Sequence, residues 1–115
     1  MTDKNKAVYV IFGEQPAFLM ATLFKKITWL NQAITAADRV VIKPNLLVPR
    51  VSKSGATDPI LVDQPIFELR QRGVDNITLA EGAWLGADTW QACRVCGYDR
   101  LIKKYDLKFV DLGVG

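Results

Sequence analysis

The chain contains no histidine, and that absence removes whole classes of chemistry. Within it a Ser-His-Asp triad, a Cys-His dyad and a histidine-rich zinc site are all excluded. Any acid or base it supplies is an aspartate, glutamate, lysine, tyrosine or cysteine, and most of these need a shifted pKa to work near neutrality. Cysteine is nearly as scarce, with Cys93 and Cys96 alone. Two thiols without histidine fall short of the roughly four ligands a structural metal takes, unless carboxylates or a second chain join them. No metal site is expected.

Long hydrophobic runs are missing as well. The longest uninterrupted one, Ala7 to Phe12, is far shorter than the roughly 20 residues that cross a bilayer, so no membrane partner is expected. The N-terminus runs directly into this stretch without the longer apolar region and small-residue cleavage site of a secretory signal, which points to a cytoplasmic location. There is no Walker pattern and no G-x-G-x-x-G, so the usual nucleotide signatures are absent. Trp29, Trp84 and Trp90 show no regular spacing with basic residues, which argues against a stacking platform for nucleic acid. Trp29 reads as core.

What is present suits a single soluble domain: 115 residues, half of them hydrophobic, enough to bury one core. Fifteen basic residues against twelve acidic ones give a net charge of +3, scattered and not blocked, a mild bias toward anionic ligands. Ala7 to Phe12 is β-branched and aromatic and predicts a buried first strand. Pro16 then opens a helix whose stripe of Leu19, Leu23, Ile27, Leu30 and Ile34 runs to about Thr35. Arg39 to Lys43 predicts a second strand, and Pro44 to Thr57 a loop. Pro59 to Arg72 predicts a helix that kinks or restarts near Asp63, because Pro65 lacks a donor; Gly73 closes it. Asn76 to Ala80 predicts a third strand. Asp88 caps a short helix through Cys96, ended by Gly97, Tyr98 to Tyr105 forms another, and Leu107 to Val110 a fourth strand.

Strands alternating with helices in this way predict an α/β fold, an open, mostly parallel four-stranded sheet with flanking helices. The last predicted strand is followed only by Asp111 to Gly115. The chain is therefore expected to be either a single α/β domain or the N-terminal half of a larger one. An incomplete sheet of this kind offers an exposed edge, and with it a homo-oligomeric partner.

Candidate ligand groups collect at the strand ends, where open α/β sheets bind. These are Lys43, Asn45, Glu81 and Asp111, with Asp58 at the start of the next helix, Glu14 beyond the first strand and Trp84 as a wall. A lysine and an amide beside two carboxylates suit a small polar or anionic metabolite, a cation, or proton transfer by a desolvated lysine. Polar residues also belong at strand ends simply because these meet water. The Ser52 to Thr57 loop precedes a helix N-terminus that favours anions, but Asp58 is expected to cap those same amides. Cys93 and Cys96 lie near the C-terminal end of their helix, where the dipole raises a thiol's pKa, so both read as buried or half-buried reduced thiols.

The stretches Ile42-Lys43-Pro44-Asn45, Thr57-Asp58-Pro59, Glu81-Gly82, Gly97-Tyr98 and Val110-Asp111-Leu112 make the chain resemble the family called domain of unknown function 362, over most of its length from Val40 onward. The resemblance implies the N-terminal part of that family's domain, in which Pro65 is an atypical helix residue. It also implies an iron-sulfur association, since many members look like iron-sulfur proteins through a ferredoxin-type cysteine cluster elsewhere in the chain. That cluster is missing here, so no cofactor is expected within this sequence and a 4Fe-4S centre only in a longer family-like protein. Two functions follow as expectations. One is a metabolite-binding module of a redox-associated protein, with Lys43, Asn45 and Glu81 lining its crevice. The alternative is a noncatalytic binding or assembly domain that completes its sheet through a partner chain.

Overall fold

The computed structural model describes residues 6–46, 56–82 and 88–113. Its elements follow in the order α1 (Pro16–Lys26), α2 (Thr28–Ala33), β1 (Val40–Ile42), α3 (Pro59–Gln71), β2 (Ile77–Glu81), α4 (Thr89–Val95), α5 (Tyr98–Tyr105) and β3 (Lys108–Asp111). The three strands form a parallel sheet in the order β1-β2-β3, with Ile42 opposite Leu79, Leu79 opposite Phe109 and Glu81 opposite Asp111. Each crossover passes through helix, α3 first and then α4 with α5, as parallel neighbours require.

Side chains alternate across a strand, and this register puts Val40, Ile42, Ile77, Leu79 and Phe109 on one face. Val62, Ile66 and Leu69 of α3, Ala92 and Cys93 of α4, and Tyr98 and Leu101 of α5 close over that face in one continuous core. The opposite face carries Val41, Thr78, Lys108 and Val110 and is much more open, with Val41 64 % exposed. β2, central in the sheet, is buried along almost its whole length.

Four sequence expectations change. The predicted four strands are three among the described residues: Ala7 to Phe12 is irregular, and Val8 and Phe12 are 86 % and 89 % exposed. An apolar β-branched run favours a strand only where a strand edge meets it, and here none does. The long first helix is two, because Ile27 leaves the helical region (φ −88°, ψ 68°) and Thr28 starts again; adjacent β-branched residues weaken a helix at that point. Trp29, read as core, is 41 % exposed on α2.

α3 instead runs unbroken through Pro65, with no restart near Asp63. Val62 and Leu69 bracket the proline, Ile66 follows it, and all three are buried, so packing along the whole stripe outweighs a penalty of about 3 kcal/mol. The helix ends as expected at Gly73 (φ +84°): its N–H donates to the Arg70 carbonyl and that of Val74 to Leu69, the paired bonds of a Schellman cap.

A polar staple joins α3 to α5. Lys104 donates to both oxygens of Asp63, at 3.2 and 2.9 Å, and the Tyr105 hydroxyl donates to the same carboxylate. Partial burial works to raise the Asp63 pKa, but the Tyr105 hydrogen bond and the Lys104 ammonium together leave it below its ordinary value. Arg70 reaches across from α3 to the Tyr105 carbonyl at 2.8 Å, covering the C-terminal end of α5 with a cation.

Leu79→Ala, at a side chain fully buried in β2, is expected to cost about 2–5 kcal/mol in urea unfolding. A carboxylate whose folded pKa is depressed stabilises above its unfolded pKa, and that stability is lost as pH falls through the folded value. Asp63→Asn therefore flattens the acid limb of a stability-pH curve below about pH 4, where the parent chain loses the staple.

Candidate functional site

Because the strands are parallel, their carboxyl ends emerge on one side of the sheet, and β1, β2 and β3 deliver Lys43, Glu81 and Asp111 there. Glu81 is the buried member, 3 % exposed. Its Oε2 accepts the Leu46 N–H at 3.2 Å, and its Oε1 lies 2.7 Å from Lys43 Nζ. The ammonium meets Oε1 as a close charge pair without a well-aligned hydrogen bond. Lys43 itself is 63 % exposed, so its ammonium keeps donors for water or a ligand.

Local sequence explains why the chain turns at this point. Pro44 has no N–H to continue the ladder, and the residues after it are taken up by other partners. The Asn45 N–H donates to Thr57 Oγ1 at 3.0 Å, and the Thr57 N–H returns to the Asn45 carbonyl at 2.7 Å. The Tyr98 hydroxyl donates to the Thr57 carbonyl at 2.6 Å; burial pushes that phenol well above its ordinary pKa, which keeps it a donor. The end of β1, the start of α3 and the start of α5 are thereby tied together through Thr57.

On the β3 side of the strand ends the Leu112 N–H donates to the Glu81 carbonyl at 3.0 Å, and the Gly113 N–H to Asp111 Oδ1 at 2.9 Å. Gly82 is fixed by this approach, since a Cβ there would stand 3.1 Å from the Gly113 nitrogen. The buried Thr89, first residue of α4, borders the same turn, its Oγ1 3.8 Å from where a Cβ on Gly113 would lie.

Of the residues expected at the site, Lys43 and Glu81 are joined directly, and Asn45 and Asp111 flank them. The Asp111 carboxylate turns back onto its own chain instead of toward the lysine. Asp58 caps α3, accepting the Ile60 N–H at 3.0 Å. Glu14 follows an irregular segment and is exposed, so it does not extend the row of strand ends. Trp84 and residues 52–55 lie outside the described residues. Sequence reasoning missed the Leu46 amide, Thr57 and Tyr98 as partners. The bonds from Glu81 to Leu46 and from Tyr98 to Thr57 span 35 and 41 residues, and local spacing carries no signal of such pairings. The same holds for the Asp63, Lys104 and Tyr105 staple.

Cys93 is buried and Cys96 half-buried, and neither is in a disulfide. Burial above all, aided by the charge of Asp99 and only partly opposed by Arg94, pushes the Cys93 thiol up to about 11, and burial also raises Cys96. Neither is a ready thiolate. A four-iron cluster needs four thiolates, and among the described residues no three cysteine, aspartate or glutamate side chains converge. The residues of this chain do not fit such a cluster. Among the described residues, no helix is long and apolar enough to cross a membrane.

The buried partner of the ion pair makes the two halves unequal. Lys43→Met leaves a buried carboxylate without its cation and is expected to cost about 3 kcal/mol. Glu81→Gln keeps an acceptor for the Leu46 N–H and frees the lysine to solvent, so it costs at most about 1 kcal/mol. Urea unfolding of both variants and of the double variant, which recovers most of the Lys43→Met loss, checks this.

No curated protein and no solved structure matches the chain. The model of one family, domain of unknown function (DUF362), matches residues 40–114. That span takes in every group of the crevice just described, from the end of β1 to the turn after β3, and the chain belongs to the DUF362 family.

Proposed function

We propose that this chain is a binding module whose crevice at the carboxyl ends of β1, β2 and β3 takes a small polar or anionic metabolite, with Lys43 as the principal recognition group. The observation that carries this reading is the fixing of Lys43 Nζ, 2.7 Å from a carboxylate that is itself buried. A flexible surface lysine loses side-chain freedom when it binds. A lysine already tethered on one side loses less, and its remaining donors face outward over the crevice. Asn45 and the backbone around Gly82 and Gly113 supply polar neighbours, and the slight excess of positive charge favours an anion.

In a longer protein that carries a ferredoxin-type cysteine run, this module would bind the metabolite beside an iron-sulfur centre held by those other residues. Two cysteines outside any disulfide suit the reducing cytoplasm. A second reading, an assembly domain, is favoured by the open edge of β1 and the exposed apolar segment before α1.

Calorimetric titration with inorganic phosphate and with small dicarboxylates tests the reading. Saturable binding is expected, weakened by salt and at least tenfold weaker in Lys43→Met. Affinity that Lys43→Met leaves unchanged contradicts it.

A further inference from the structure

We infer that residues 7–12 of one chain add as a parallel strand to the free edge of β1 in a second copy, and that the reciprocal exchange makes a two-fold dimer. The donor is the segment Ala-Val-Tyr-Val-Ile-Phe. Val8, Val10 and Phe12 are 86 %, 64 % and 89 % exposed, and no residue of the segment has a backbone hydrogen bond among the described residues. Six apolar residues with β-branched and aromatic side chains are a strand former without a ladder.

The acceptor is equally specific. In β1 the Val40 N–H donates to the Asn76 carbonyl, so Val40 and Ile42 face β2, and alternation turns the N–H and carbonyl of Val41 outward. Val41 is well exposed, and outside the β1-β2 ladder its backbone has no partner among the described residues. One chain therefore offers both an unpaired strand and an unpaired edge, and a second copy satisfies both at once through one closed, self-complementary contact. Within its own chain the segment forms no ladder with this edge.

Direction follows from chain order. The segment precedes α1, α2 and β1, as in a strand-helix-strand unit. An exchanged segment occupies in the neighbour the place its equivalent would take, which makes it parallel to β1. The exchange happens twice, so Tyr9 and Phe12 from both copies are covered. Each aromatic side chain buries roughly 150–250 Å², and the four valines enlarge that toward the roughly 1,200 Å² at which stable interfaces begin.

Carboxyl ends then coincide, and Gly13 and Glu14 of the second copy become a wall of the crevice beside Lys43. Only this last placement rests on the crevice reading; the pairing does not.

Light scattering after size exclusion, over a wide concentration range, reads the outcome. The parent chain is expected to have the mass of two chains. Val10→Lys, which puts a charge in a segment that packs little in the single chain, halves the mass and leaves the far-ultraviolet helix signal intact. Val41→Pro removes the outward N–H but not the bonds to β2, and halves the mass too. Lys43→Met leaves the dimer mass unchanged, which separates this inference from anion binding. A single-chain mass at every concentration overturns it, whether residues 7–12 are free or protected on their own β1. So does a dimer whose mass Val10→Lys leaves unchanged.

Discussion

The buried carboxylate of Glu81 is the constraint on which the carboxyl end of this sheet depends. A charge taken out of water in the central strand must be matched from the flanking chain. The match comes from two groups only three residues apart, the Lys43 ammonium and the Leu46 amide. Satisfying both forces the chain after β1 to fold across the end of β2, and Pro44 between them ends the ladder at the required place. Thr57 and Tyr98 fasten that turn to the helical layer. The same contacts that stabilise the turn therefore present Lys43 to solvent in one position.

This accounts for what the family-like stretches have in common. Lys43 to Asn45, Thr57 to Pro59, Glu81-Gly82 and Gly97-Tyr98 are far apart in sequence, yet hydrogen bonds or close approach link most of them into one cluster. Glu81 binds the stretch after β1, Thr57 binds Asn45, and Tyr98 binds Thr57. Gly82 is held against the turn that follows β3. Part of the motif set is thus a latch at the carboxyl ends of the strands, and in the proposed function a smaller part, chiefly Lys43, meets the ligand.

Much of the fold was legible because it depends on local rules. A β-branched run marked β1, and short stretches of β-branched, aromatic and apolar residues marked β2 and β3. Asp88 and Asp58 announced their helices by capping them, and Gly73 and Gly97 ended theirs at positive φ. What was not legible depends on neighbours. Ala7 to Phe12 has the composition of a buried strand but meets no edge in its own chain, and Pro65 should break a helix but sits within a stripe that packing holds in place. At the site, strand-end chemistry picked out Lys43 and Glu81. It could not foresee that Asp111 turns back on its own amide, or that a tyrosine 41 residues away from Thr57 would secure the loop.

In the proposed function an anion binds at the strand ends beside Lys43, and not in the groove between α3 and α5 lined by Asp63, Arg100 and Lys104. A nitrogen-15 NMR titration of the chain with phosphate tests this most directly. Saturable shifts are expected at the amides of Lys43, Asn45, Gly82 and Gly113, with those of Asp63, Arg100 and Lys104 unmoved. Shifts confined to the α3 and α5 groove, or none at all at the strand ends, would contradict it.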